Sequence, residues 1–290
     1  MNPVFNAAVI GDPIEHSLSP VIFHWLSQKL NAPICYERLR ISAQDWDEQR
    51  GFYSKINALD GWNVTLPLKK KMISCLRELS DEAQGTGAVN VVHRRVDRSL
   101  KGYNTDVFGV SQTLIEQGVT PKNQINLIFG AGGAALAAAY ALGQLNASEV
   151  WVWNRSTGHA MDLIKRVQPL FPHTQFINVS ESLHEYGGER PHLYINATPI
   201  GMKGYPEVFH LCPLLNPKGF AFDLVYSAER TTPFIEFART QGLCFVSGLD
   251  MLVWQALATW EIWFNPLDHQ STLKAHLLQY IQDHVLTSRR

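Results

Sequence analysis

Five short stretches of the chain combine residue types and spacings that could do chemistry. They are Ser17-Leu18-Ser19-Pro20, Asn63-Val64-Thr65-Leu66-Pro67-Leu68-Lys69, Asn104-Thr105-Asp106, Gly130-Ala131-Gly132-Gly133-Ala134-Ala135 and Asn154-Arg155-Ser156. The second and third stand where strand patterns end, and in open α/β sheets the ligand crevice lies outside the carboxyl ends of strands. Lys69 is the sharper candidate because it follows directly on such a strand, whereas Lys70 and Lys71 suit a solvated helix face. Asp106 has a second reading as a helix N-cap, and so does Ser19 before Pro20. Two hydroxyls together with helix-terminal amides could equally hold a carboxylate without an arginine.

The glycine stretch follows the apolar run INLIF and opens an alanine-rich helical pattern, so it matches G-x-G-x-x-A in the context that gives this motif meaning. Gly130 permits a tight turn, Gly132 lets the backbone approach a pyrophosphate, and Ala135 allows close helix-to-strand packing. The helix N-terminus offers unpaired N–H groups to the anion. An NAD site would place an acid at the end of the next strand to hold the ribose 2′-hydroxyl; this chain has Asn154, Arg155 and Ser156 there. Arg155 would attract a 2′-phosphate, which favours NADP over NAD. The missing acid also argues against an S-adenosylmethionine methyltransferase.

The elements that must carry these residues alternate short apolar runs with helical patterns, the signature of an α/β protein with a largely parallel sheet. In the first third, FNAAVIG, CYERLRI, GWNVTLP, AVNVVHRR and SLKGYNTD read as strands. Helices are expected after Ser19-Pro20 through Leu30 and from Lys69 to Leu79. After a helix VFGVSQTLIEQG and a turn-rich VTPKNQ, a second and more regular series begins: INLIFG, EVWVW, QFINV, LYINATP, FAFDLVY and CFVSG, interleaved with helices. Its strand count and spacing suit a doubly wound nucleotide-binding domain. Helical patterns from Met251 to Phe264 and Ser271 to Leu286 close the chain.

A length of 290 residues suits two medium domains, and 46% hydrophobic against 18% charged residues excludes wholesale disorder. A net charge of −1 removes the attraction that nucleic-acid and anionic-membrane binders carry, leaving a small molecule as the expected partner. Leu127 to Leu145 is uncharged and close to membrane-spanning length, but its Gly and Ala content favours a buried strand plus helix. Cys35, Cys75, Cys212 and Cys244 have no metal-site spacing and read as buried thiols of a reducing compartment. The opening MNPVFNAAVIGDP lacks a basic segment before a long apolar run, so a cytoplasmic protein is expected.

HSLSP, NVTLPLK, GAVN, NTD, GAGGA, NRS, NATPIGM, DLVY and GLDMLVWQ occur in this order across most of the chain. In these motifs the sequence resembles the shikimate dehydrogenase family, which includes quinate/shikimate dehydrogenases. The resemblance implies two domains: an α/β substrate domain from residues 1–106 plus 249–290, and a doubly wound, Rossmann-like NADP domain from residues 107–248. The implied reaction is reversible reduction of 3-dehydroshikimate to shikimate by NADPH, without a metal. Carried over position by position, Lys69 would be the acid/base with Asp106 as its partner. Ser17 and Ser19 would bind the substrate carboxylate; Thr65, Asn90, Asp106 and Gln255 its hydroxyls; Tyr226 would lie near the substrate. Gly130, Ala131, Gly132, Gly133, Ala134, Asn154, Arg155 and Ser156 would hold the cofactor, with Asp81, Leu224 and Gly248 near it.

Four features depart from the family pattern. Phe23-His24 stands near a usual His-Asn pair, Val91 follows GAVN in place of threonine, His159 replaces a second phosphate-binding arginine, and Ser227-Ala228 replaces a proline region. A neutral histidine adds little to phosphate binding, which keeps NAD as the alternative cofactor. The alternatives are a quinate/shikimate enzyme accepting NAD, or a non-catalytic sensor of shikimate or nucleotide; the chain would be a monomer or homodimer.

Overall fold

A computed structural model of the chain describes residues 3–48, 53–181, 190–202, 205, 216–226 and 231–286. The chain divides into two compact units, Met1–Thr105 with Gln255–Leu277, and Asp106–Trp254 with Leu278–Arg290.

The first unit begins with β1 (Phe5–Gly11), α1 (Ser19–Leu30), β2 (Ile34–Arg40), α2 (Ala43–Asp47), α3 (Tyr53–Asn57) and β3 (Gly61–Val64). It continues with β4 (Glu78–Leu79), α4 (Asp81–Thr86), β5 (Val91–Arg94) and β6 (Leu100–Tyr103). Among the described residues these strands form one sheet in the order β2-β1-β3-β5-β6-β4. β1 runs parallel to both β2 and β3, but β5 is antiparallel to β3 and β6. Only five residues link β5 to β6, too few for a crossover, so the chain must return as a hairpin. The core is built from Ile10, Trp46, Trp62, Val64, Leu68, Met72 and Val89.

No α-helix spans Lys69 to Leu79. This segment forms turns, a short 3₁₀ helix at Lys71–Cys75 and then β4, and the Lys69 carbonyl accepts the Val89 N–H at 2.9 Å instead of a helical amide. A tertiary hydrogen bond here outcompetes a local helical preference. The short α2 is fixed by a reciprocal capping box between Ser42 and Asp45.

α5 (Thr105–Glu116) leads into the second unit, which follows as β7 (Ile125–Phe129), α6 (Gly133–Gln144), β8 (Glu149–Trp153), α7 (Thr157–Val167), β9 (Gln175–Asn178), β10 (Leu193–Asn196), β11 (Phe220–Asp223), α8 (Pro233–Thr240) and β12 (Cys244–Val246). Its described strands are all parallel, in the doubly wound order β12-β11-β10-β7-β8-β9. α6 is buried on every side, from Ala135 through Gly143, which explains its alanine content. Its close approach to Phe171 leaves no room for a Cβ at Gly143. The uncharged run from Leu127 to Leu145 is therefore β7, the glycine turn and α6; no described helix is long and apolar enough to cross a membrane.

α9 (Gly248–Trp263) and α10 (Gln270–Ile281) complete the chain, followed by a π turn at Gln282–Leu286. Trp263 of α9 donates to the Val92 carbonyl at 3.1 Å and presses on Gly61, where an added Cβ would lie 2.5 Å from its indole nitrogen. The expectation of buried thiols fails at Cys35, Cys75 and Cys244, which are free and exposed. Cys35 and Cys244 lie on β2 and β12, edge strands whose outer positions stay open to water. Cys212 and Ser227-Ala228 lie outside the described residues.

Candidate functional site

In the first unit, the carboxyl ends of β1 and β3 are locked together. Thr65 donates its N–H to the Ile10 carbonyl at 2.9 Å, and Asp12 donates to the Leu66 carbonyl at 2.8 Å. Gly11 is required at this crossing: its φ is +153°, and an added Cβ would fall 2.5 Å from the Leu66 oxygen. The packing fixes Thr65 and the turn that carries Lys69, whose side chain is half-buried.

Ser19 is the first residue of α1 and not its N-cap, so that expectation is corrected. Leu18 occupies the cap position with a near-helical backbone, and its hydrocarbon side chain can make no cap hydrogen bond. The two serines instead engage each other: the Ser17 hydroxyl donates to Ser19 Oγ at 3.2 Å, and the Ser19 N–H donates to Ser17 Oγ at 3.3 Å. Both hydroxyls are thus gathered at the start of a helix, where an anion is favoured.

Asn90, Thr105 and Gln255 are buried and meet in one cluster. Asn90 Oδ1 accepts the Thr105 N–H at 2.8 Å, and Asn90 Nδ2 donates to Thr105 Oγ1 at 3.0 Å. Longer contacts join Gln255 Oε1 to Asn90 at 3.5 Å and to the Thr105 hydroxyl at 3.4 Å. The cluster extends through Thr259, 3.3 Å from Thr105, to Asn63, whose Oδ1 accepts the Tyr36 hydroxyl at 2.7 Å. Sequence reasoning missed Tyr36 and Thr259, which carry no motif signal; Asn63 and Thr105 stood in clusters already noted. Asp106 is buried and is the second residue of α5, directly after the anchored Thr105.

Phe23 is fully buried and stacks on Tyr36, with centroids 4.6 Å apart and rings 6° from parallel. Its stack holds the Tyr36 ring whose hydroxyl reaches Asn63 of the polar cluster. His24 faces solvent and bonds Gln28 one turn along α1, and Val91 is buried in β5. Asp81 lies exposed in the first unit, in the first turn of α4 beside the N-cap Ser80.

In the second unit, the glycine turn follows β7 as expected. Gly130 has φ +111°, and an added Cβ would lie 2.8 Å from the Ala197 carbonyl oxygen. Gly132 is the N-cap of α6, and nothing lies within 4 Å of the place its Cβ would take. That open space at a helix N-terminus fits a pyrophosphate approaching backbone, so the residues present suit a dinucleotide. Ala131, Gly133 and Ala134 complete the turn and the first residues of α6.

Arg155 and Ser156 are exposed beyond β8, and Ser156 is the N-cap of α7 without a side-chain cap bond. The Asn154 amide holds their turn, donating from Nδ2 to the Ser156 carbonyl at 3.0 Å. His159 is exposed in the first turn of α7. Leu224 and Tyr226, after β11, are half-buried, and Gly248 is buried, with the Leu224 oxygen 2.6 Å from where its Cβ would be. The glycine turn, Asn154–Ser156, Leu224 and Gly248 all follow carboxyl ends of strands in one parallel sheet.

Asp223, at the end of β11, was not singled out from sequence. It is fully buried and accepts from Asn196 Nδ2 at 2.8 Å, from the Val225 N–H at 3.0 Å and from the Thr232 hydroxyl. Burial pushes its carboxyl up to about 6, with the Thr232, Val225 and Asn196 donors opposing the shift. Among the described residues, no group of three or more His, Cys, Asp or Glu is placed to hold a metal ion.

A family model for the shikimate dehydrogenase substrate-binding domain matches residues 9–92. A shikimate dehydrogenase (NADP(+)) of Staphylococcus aureus is 32% identical over 95% of this chain and 98% of its own length. The chain belongs to the shikimate dehydrogenase family. Within that family, the Thermus thermophilus enzyme solved with NADP(H) and shikimate superposes with a TM-score of 0.76 at 31% identity, covering 95% of this chain and 99% of that one. A Listeria monocytogenes shikimate 5-dehydrogenase solved with shikimate and NAD gives a TM-score of 0.80 at 28% identity, over 96% and 97% of the two chains. Shikimate dehydrogenases solved with either nucleotide thus share this fold.

Proposed function

We propose that this chain is an NADP-dependent shikimate dehydrogenase of the cytoplasm, a monomer or homodimer, interconverting 3-dehydroshikimate and shikimate. The observation that carries the substrate reading is the buried cluster of Asn90, Thr105 and Gln255, adjoining Asn63. These amide and hydroxyl groups satisfy one another in the cluster, and the same donors and acceptors suit a ligand bearing several ring hydroxyls. Exposed free thiols at Cys35, Cys75 and Cys244 suit a reducing compartment.

In this reading Ser17 and Ser19 hold the substrate carboxylate at the start of α1, and Thr65, Asn90, Asp106 and Gln255 hold its hydroxyls. Tyr226 lies near the substrate. Gly130, Gly132 and the α6 N-terminus take the pyrophosphate, Arg155 with Asn154 and Ser156 the 2′-phosphate, and Leu224, Gly248 and Asp81 complete the cofactor surroundings. A bound NADPH supplies the hydride. As charge develops on the substrate carbonyl oxygen, the Lys69 ammonium donates a proton to it; in the reverse direction the Lys69 amine removes the hydroxyl proton. Asp106 is assigned as the carboxylate that orients Lys69. Residues 9–92 carry the substrate-domain match, which supports placing Lys69 and the substrate-binding serines on the first unit.

The test is turnover followed by reduced nicotinamide, with shikimate and quinate each against NADP and NAD. Lys69→Ala is expected to lower kcat at least ~10²-fold while nucleotide binding holds. Unchanged kcat would refute the role, and binding without turnover in the wild type would establish a sensor instead.

A further inference from the structure

The turn after β8 lacks the acid that an NAD site uses for the ribose 2′-hydroxyl, but the fold brings one in from the neighbouring strand. β9 ends at Asn178, and the Asn178 side chain turns the outgoing chain by accepting from the Ser180 N–H at 3.0 Å and hydroxyl at 2.6 Å. That segment is fastened to the nucleotide turn at two points. The Asn154 N–H donates to Ser180 Oγ at 3.2 Å, and the Thr157 hydroxyl donates to Glu181 Oε1 at 2.9 Å. Thr157 opens α7 only two residues after Arg155, so the Glu181 carboxylate is held beside the turn assigned to the 2′-phosphate.

We propose that Glu181 is a specificity-determining residue of this site, one that narrows its preference for NADP over NAD. The proposal rests on the cofactor assignment above. A carboxylate beside this turn repels a 2′-phosphate, which carries close to two negative charges, and offsets part of the attraction of Arg155. A ribose 2′-hydroxyl meets no such repulsion, and a carboxylate can accept its hydrogen bond. Because position 159 holds histidine and not arginine, the first turn of α7 adds no second permanent cation to Arg155. Two charges separated by a few ångströms of solvent-exposed space interact weakly, so the effect is set at roughly two- to tenfold in affinity.

Glu181→Gln is the decisive variant, because its Oε1 can still accept from Thr157 while the charge is removed. Dissociation constants for NADPH and NADH are measured by fluorescence titration, at about 20 mM and about 500 mM salt, for wild type, Glu181→Gln, Glu181→Ala and Arg155→Ala. Expected are two- to tenfold tighter NADPH binding in Glu181→Gln at low salt, NADH unchanged or weaker, and a smaller gain at high salt. Equal changes for both nucleotides, no change for NADPH, or an effect confined to Glu181→Ala would overturn the proposal while leaving the cofactor assignment intact. A wild type that binds neither nucleotide would overturn both. Equal losses for both nucleotides in Arg155→Ala would remove the phosphate assignment and this proposal with it.

Discussion

Replacing Asp223 with asparagine isolates one buried ionisation. The carboxyl is fully buried at the end of β11 and accepts hydrogen bonds from Asn196, Val225 and Thr232, so the substitution keeps the volume and changes only charge and one hydrogen-bond polarity. Desolvation raises the carboxyl from 3.8 in the unfolded chain to about 6 in the folded one. Between these values the unfolded chain has lost the proton and the folded chain still holds it. Stability from this group is therefore fully present below 3.8 and is lost as pH rises through about 6. At 1.36 kcal/mol per pH unit the whole loss is about 3 kcal/mol, of which about 2 kcal/mol falls between about pH 4.5 and pH 7.5. Asparagine mimics the protonated form and does not titrate. Equilibrium urea unfolding of both proteins across that range, taken as a difference, cancels the titration of groups common to them. The wild type is expected to lose about 2 kcal/mol relative to Asp223→Asn as pH rises. Parallel curves would refute the desolvation argument.

Two further outcomes follow from the nucleotide turn. Gly130→Ala sets a Cβ at φ +111° and 2.8 Å from the Ala197 oxygen, so the turn must shift. Urea unfolding is expected to show a loss above about 1 kcal/mol, and titration a weakened nucleotide affinity; wild-type values in both would contradict the packing argument. Arg155→Ala is expected to weaken NADP by about tenfold or more relative to NAD, as loss of a charged hydrogen bond requires.

Where local chemistry decides a conformation, the chain was legible in advance. The glycine turn between β7 and α6 was readable because small residues are needed at fixed offsets between an apolar strand and a helix. The doubly wound order of the second unit followed from regular spacing of apolar runs. Misreadings fall where a distant partner overrides a local signal. Lys69 to Leu79 has helical residue types, yet the Val89 amide claims the Lys69 carbonyl. Ser19-Pro20 looks like a cap and first turn, yet α1 starts one residue early and the serine hydroxyls pair with each other. Cys35 and Cys244 sit in strand patterns that suggest burial, yet those strands are sheet edges.

The amino-acid order alone determined the alternation of strands and helices, the position of the glycine turn and the motifs by which the family is known, because each depends on spacing within a few residues. Only the tertiary structure decided that Tyr36, Asn63, Thr105, Asn90, Gln255 and Thr259 share one polar cluster, that Asp223 is stripped of water, and that Glu181 reaches the first turn of α7. These juxtapositions join segments far apart in the chain. Burial and charge proximity act through space, and no local pattern records them.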